Sequence, residues 1–198
     1  MDRFENVLVL ALPRGGVPVA FEVARALGAP LDLFLVRKVG LPQAPEVAMG
    51  AIASGGLRDV DAALMRRFGV KMRDFEEVAA REAVELARRE RAYRGGRPPV
   101  EVRGKDVVVV DDGIATGASM RVALRALRRA GPRTLVAAAP VGAFGACESL
   151  REEADRVVCL ETPEPFSAVS LSYVEFSPTS DEEVRSLLRW EDSSTILR

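Results

Sequence analysis

The segment from Val107 to Ser119, VVVVDDGIATGAS, sets two adjacent carboxylates ahead of a run of small and hydroxyl residues. Four β-branched residues in a row predict a strand buried on both faces, as in a parallel sheet. Such a strand delivers Asp111 and Asp112 to the carboxyl edge of the sheet, where parallel sheets bind their ligands. Beyond the pair, backbone N–H groups of the turn, the hydroxyls of Thr116 and Ser119 and the positive end of a following helix predict a cradle for phosphate. Carboxylates accept from sugar hydroxyls and the cradle takes an anion, so a ribose 5′-phosphate meets both demands. A plain helix cap would account for Asp112 and leave Asp111 unexplained.

Two further clusters carry charge at the ends of strands. Leu12-Pro13-Arg14-Gly15-Gly16 closes an apolar run from Val7. Its two glycines let backbone amides approach a ligand closely, and Arg14 offers a two-pronged donor for phosphate oxygens. Arg37 and Lys38 open a stretch reaching Pro45 that is too rich in Pro and Gly for helix or strand, which predicts a mobile loop. Two cations on such a loop would neutralise charge on a departing anion while the loop excludes water. Glu46, in the same stretch, reads as a surface residue.

Taken in order, these motifs resemble the type I phosphoribosyltransferases over most of residues 7–160. Four apolar residues, an acidic pair and a Thr-Gly loop form that family's signature for phosphoribosyl pyrophosphate. The resemblance implies that Asp111 and Asp112 contact the ribose hydroxyls. It implies that Ile114, Ala115, Thr116, Gly117, Ala118 and Ser119 wrap the 5′-phosphate, and that Arg14, Gly15 and Gly16 form the pyrophosphate-binding loop. Arg37 and Lys38 would act as catalytic residues at the start of the flexible loop. Mg2+ is the implied cofactor, bridging pyrophosphate and ribose hydroxyls, with Asp111 and Asp112 standing behind its direct ligands. The implied reaction moves ribose 5-phosphate from phosphoribosyl pyrophosphate to a nitrogen of a nucleobase or related small molecule, with inversion and release of pyrophosphate.

In this family a C-terminal hood selects the acceptor, and here Phe166, Tyr173 and Phe176 would offer stacking faces to a flat base. Type I members commonly dimerise, so the resemblance allows a homodimer, while the sequence does not fix the oligomeric state. An alternative on the same fold is a non-catalytic regulator that senses the donor; Arg14, Arg37 and Lys38 favour the enzyme. The chain also departs from the family. Ala115 stands where 6-oxopurine members carry an acidic residue, which argues against hypoxanthine or guanine. The chain begins almost at its first strand, and the helical stretch before Val107 is longer than usual.

Composition removes other chemistries. The chain has 198 residues and no histidine, which excludes Ser-His-Asp and Cys-His catalysis and imidazole-ligated zinc. Cys147 and Cys159 alone make neither a disulfide framework nor a four-thiolate site, and they suit a reducing cytoplasm. Lys and Arg number 28 against 29 Asp and Glu, so no global charge grips nucleic acid or an anionic membrane. No apolar run spans a bilayer, and Met1 to Asn6 lack the plan of a signal peptide. A receiver domain is excluded because Asp155 precedes its strand and no lysine follows Lys105; a P-loop is excluded because no Gly-Lys-Ser/Thr occurs.

The elements that must position these residues alternate. Strands are expected near residues 7–12, 31–36, 47–53, 107–110, 134–139 and 157–160, with helices after most of them. This predicts an α/β fold with a doubly wound, mostly parallel five-stranded sheet of order 3-2-1-4-5. That order makes the first strand and the Val107 strand neighbours at the switch point, so both loops would face one crevice. Residues 1–160 form the expected core, with a helical insertion over about 59–94 opened by an Asp74–Glu77 capping pair. Residues 161–198, with a helix from Asp181 to Trp190, form the expected hood. From Val60 to Lys105 twelve Lys and Arg face eight Asp and Glu, a surplus that a solvated helix face explains, so nucleic-acid binding is not expected.

Overall fold

Burial along the first strand, β1 (Val7–Ala11), explains why a sheet forms: Leu8 and Leu10 enter one apolar layer while Val9 and Ala11 enter the other. The structure, a computed structural model, describes residues 6–194. Residues 1–5 of the expected core, most of the N-terminal segment read for a signal, and residues 195–198 of the expected hood lie outside them. The chain continues through α1 (Gly16–Leu27), β2 (Leu31–Leu33), β3 (Val36–Leu41), β4 (Ala44–Ala53) and β5 (Leu57–Val60). Then come α2 (Ala62–Arg67), α3 (Met72–Arg94), β6 (Asp106–Val110), α4 (Ala118–Arg129), β7 (Thr134–Val141), α5 (Phe144–Ser149), β8 (Arg156–Glu161) and α6 (Asp181–Ser194).

Five parallel strands lie in the order β2-β1-β6-β7-β8. β6 is buried along its whole length, and its valines alternate between the two layers as the residues of β1 do. One layer holds α1, α3 and α6, with Phe75, Leu86, Val184 and Leu188 among its members. The other holds α4 and α5, with Leu124, Leu127 and Leu150. The fold class and the five parallel strands are as the sequence predicts.

The strand order 3-2-1-4-5 is corrected. The expected third strand, residues 47–53, does not add to the parallel sheet. It lies in β4, the middle of a separate antiparallel sheet β3-β4-β5. The expected mobile loop over 37–45 is corrected with it: Arg37 and Lys38 stand on β3, and Pro42 and Gln43 make the tight connection to β4. Pro and Gly mislead here because they sit where a hairpin tolerates them. Pro42 is at the turn, and Gly40 lies at a register shift where the two chains run too close for a β-carbon.

The insertion over 59–94 is also less uniformly helical than expected, since β5 and α2 precede α3. Asp74 does not open α3 as its cap. It is the third residue of the helix and accepts from the Lys71 backbone N–H at 2.9 Å, because the chain turns helical at Met72. The far end of α3 is anchored in the interior. Arg94 donates to Asp32 of β2 at 2.9 and 3.2 Å, to Glu90 at 2.9 Å and to the Leu33 carbonyl. Among the described residues no helix is long and apolar enough to cross a membrane.

Candidate active site

β1 and β6 pair in register from Val7–Asp106 to Ala11–Val110, so the turns that follow them emerge side by side. They are in contact. A β-carbon built on Gly16 would lie 2.7 Å from the Val110 carbonyl oxygen and 2.9 Å from Asp111 Cα. One built on Gly15 would overlap the Asp112 carboxylate. Both positions therefore need glycine, and the backbone of the Arg14-Gly15-Gly16 turn rests directly on the acidic pair. The peptide between Pro13 and Arg14 is cis.

The cradle follows. Ile114 is buried and bridges to Gly142, which fixes the root of the loop, while Ala115 and Thr116 are exposed. Gly117 adopts φ 71°, a left-handed conformation that other residues seldom take, and stands just before α4. Thr116 Oγ1 accepts from the Ala118 N–H at 3.4 Å. α4 has no acidic residue in its first turn, so its free N–H groups and positive end remain open to an anion.

Two clefts flank the Pro13–Gly15 turn. The first, about 330 Å3, is lined by Pro13, Arg37, Lys38 and Ser119, and by Glu82 and Arg89 from α3. Arg37 is half-buried and donates to Glu82 through Nε at 2.7 Å, whereas Lys38 is exposed. The second, about 570 Å3, is lined by Arg14, Gly15 and Asp112, and by Tyr173, Phe176 and Glu183 from the C-terminal segment. That segment crosses the loop: Val169 packs on Gly113, and the Tyr173 hydroxyl donates to the Asp112 carbonyl at 2.6 Å. Tyr173 and Phe176 have ring centroids 5.1 Å apart, inclined at 52°. Phe166 lies on the same segment, half-buried, and lines neither cleft. α6 is built into the core through Val184 and Leu188.

Sequence reasoning missed Glu82, Arg89 and Asp181. The signal for the first two is legible in α3, where Phe75, Ala79, Leu86 and Tyr93 form an inward stripe. Glu82 and Arg89 fall on the same heptad face, and charges inside an apolar stripe need a reason. Asp181, the first residue of α6, binds Arg14 at 3.3 Å and accepts from the Tyr93 hydroxyl at 2.9 Å. No local pattern announces it, because its partners are far away in sequence.

Burial disfavours charge on Asp111 and, with the adjacent Asp112 charge, pushes its carboxyl up to about 8. Asp112 is raised as well, chiefly by burial. The folded pair therefore holds more protons than the unfolded chain from the ordinary carboxylate range, near ~4, upward to about 8. Stability must fall as pH rises through that window. Asp111→Asn is expected to raise the melting temperature of the unliganded protein by about 4 °C at pH 8 and to leave it unchanged near pH 4. Superimposable melting curves of variant and parent at both pH values would contradict this.

The chain matches the phosphoribosyl transferase domain family over residues 1–174. It is 44% identical over 182 residues, 92% of its length, to the "Putative phosphoribosyl transferase" of Mycobacterium tuberculosis. It spans only 41% of that protein, about two fifths of the length of the curated relatives it matches first. The solved structure of TT1426 from Thermus thermophilus is 45% identical with a TM-score of 0.85, covering 93% of this chain and 88% of that one. A shorter likeness, 39% over 75 residues, links 36% of this chain to 27% of the ribose-phosphate pyrophosphokinase of Pyrococcus furiosus.

Proposed function

This chain belongs to the phosphoribosyl transferase domain family, and from that premise we propose that it moves ribose 5-phosphate from phosphoribosyl pyrophosphate to a nitrogen acceptor. The observation that carries the reading is the Gly15-Gly16 backbone seated on Asp111 and Asp112 without room for a β-carbon. One donor molecule with phosphoryl groups at both ends of its sugar would bridge the two turns. The open N–H groups of α4 would take the 5′-phosphate, Asp111 and Asp112 the ribose hydroxyls, and Arg14 with Gly15 and Gly16 the pyrophosphate.

An acceptor nitrogen attacks the anomeric carbon, the carbon–oxygen bond to pyrophosphate breaks with its electron pair on the leaving group, and the nitrogen's proton passes to the released pyrophosphate or to solvent. Arg37 and Lys38 would neutralise the charge that gathers on the leaving oxygens. Two carboxylates crowded by burial suit a cation arriving with the donor, and no cluster of three or more metal-ligating side chains occurs among the described residues. Mg2+ so delivered would add positive charge at the pyrophosphate, and Asp111 and Asp112 are the carboxylates that would help to hold it.

Calorimetric titration with phosphoribosyl pyrophosphate and Mg2+, followed by a screen for pyrophosphate release with nucleobases and small amines, tests the proposal. Absence of donor binding would end it. Lys38→Ala is expected to leave donor affinity within about threefold and to lower turnover by about 100-fold, the scale of losing one transition-state contact. Unchanged turnover in that variant would remove Lys38 from catalysis. Donor binding with no release from any acceptor would favour the sensing regulator.

A further inference from the structure

The two clefts beside the Pro13–Gly15 turn differ in charge. The first presents Arg37, Lys38 and Arg89 against Glu82, which Arg37 already engages. The second presents Asp112, Glu175 and Glu183 against Arg14, which Asp181 already engages. A cationic cleft suits the phosphates of a donor. An acidic cleft walled by aromatic rings does not, yet it opens on the same Asp112 and Gly15.

Glu183 lies in the first turn of α6, where a helix end by itself favours an acidic residue. Glu175 lies outside any helix and has no such reason. The Ser177 hydroxyl donates to Glu175 Oε1 at 3.2 Å, which leaves Oε2 for another donor. The inclined rings of Tyr173 and Phe176 cannot form a parallel slot. They would meet a flat ligand face-on with one ring and edge-on with the other, and ring faces also attract cations.

We propose, resting on the transferase reading above, that the acceptor is a flat nitrogen base rich in N–H donors or positively charged, an amino-substituted heterocycle or amidine. By the same physics the cleft discriminates against acceptors that carry a carboxylate. Such a group would face Glu175 and Glu183, while the lining cation Arg14 is paired with Asp181.

Benzamidine, benzamide and benzoate share one flat shape and differ in charge, so they probe the cleft without requiring turnover. In NMR titrations of the full chain at pH 7, benzamidine is expected to bind at least about tenfold more tightly than benzoate, with benzamide between them. The double variant Glu175→Gln, Glu183→Gln is expected to shrink that ratio to about twofold, with an unchanged melting temperature as the check on folding. Benzoate binding as tightly as benzamidine, absence of benzamidine binding, or an undiminished ratio in the double variant would each overturn the inference. Donor binding measured on the same samples separates the two readings. Donor bound with benzoate preferred overturns the acceptor class alone, and benzamidine bound with no donor affinity overturns the transferase alone.

Discussion

Replacing Asp111 and Asp112 together by asparagine is expected to weaken binding of phosphoribosyl pyrophosphate by about 100- to 10,000-fold while the protein stays folded. Each carboxylate would accept from a sugar hydroxyl, and hydrogen bonds to a charged group are worth about 1.5–3 kcal/mol apiece. Two of them lost correspond to about 3–6 kcal/mol, and 1.4 kcal/mol is tenfold in affinity. An amide keeps the shape but presents one acceptor oxygen and no charge to a cation or hydroxyl. The unliganded fold has no need of that charge, since burial already holds the Asp111 carboxyl well above its usual range. Affinity and stability should therefore move in opposite directions at neutral pH, a signature that general unfolding cannot mimic. Calorimetry and thermal melting on one preparation check both halves. Donor affinity within tenfold of the parent would remove the acidic pair from the site.

Arg94→Ala is expected to cost about 3–5 kcal/mol of stability and to lower the melting temperature by about 10 °C or more. The Arg94 side chain is 3% exposed and that of Asp32 is 10%. Asp32 also accepts from the Leu33 N–H at 2.7 Å and the Val100 N–H at 2.9 Å, so it is held in place after its cation is removed. A carboxylate then stays buried with two backbone donors and no opposite charge, which is the costly outcome. Arg94→Lys should lose less, because the charge survives but the two-pronged contact does not. Replacing both partners by apolar residues of similar volume, Arg94→Met with Asp32→Leu, should recover most of the loss. A melting temperature for Arg94→Ala within about 2 °C of the parent would show the pair to be dispensable. The effect reaches function because this contact anchors the helix that carries Glu82 and Arg89 to the first cleft.

Much of the candidate site's edge was legible because its signals are local. A run of valines can be satisfied only between two apolar layers, and an acidic pair at the end of such a strand has nowhere to go but the carboxyl edge of the sheet. Two glycines after β1 announce a close approach, and the approach proved to be to Asp111 and Asp112 themselves. The hairpin at 36–53 was illegible for the opposite reason. Pro42 and Gly40 read as breakers in isolation, and only pairing with β4 turns one into a hairpin turn and the other into a bulge. The strand order failed at the same place, since a strand's partner depends on which backbone lies beside it.

The amino-acid sequence by itself determined the α/β class, the two loops that converge on one edge and the absence of imidazole chemistry, because burial periodicity and residue inventory need no third dimension. Only the tertiary structure decided that α3 sends Glu82 and Arg89 into the cationic cleft, that Asp181 holds Arg14, and that Tyr173, Phe176 and Glu175 wall an acidic one. Those contacts join residues as much as 167 positions apart, and electrostatic pairing depends on distance in space rather than along the chain.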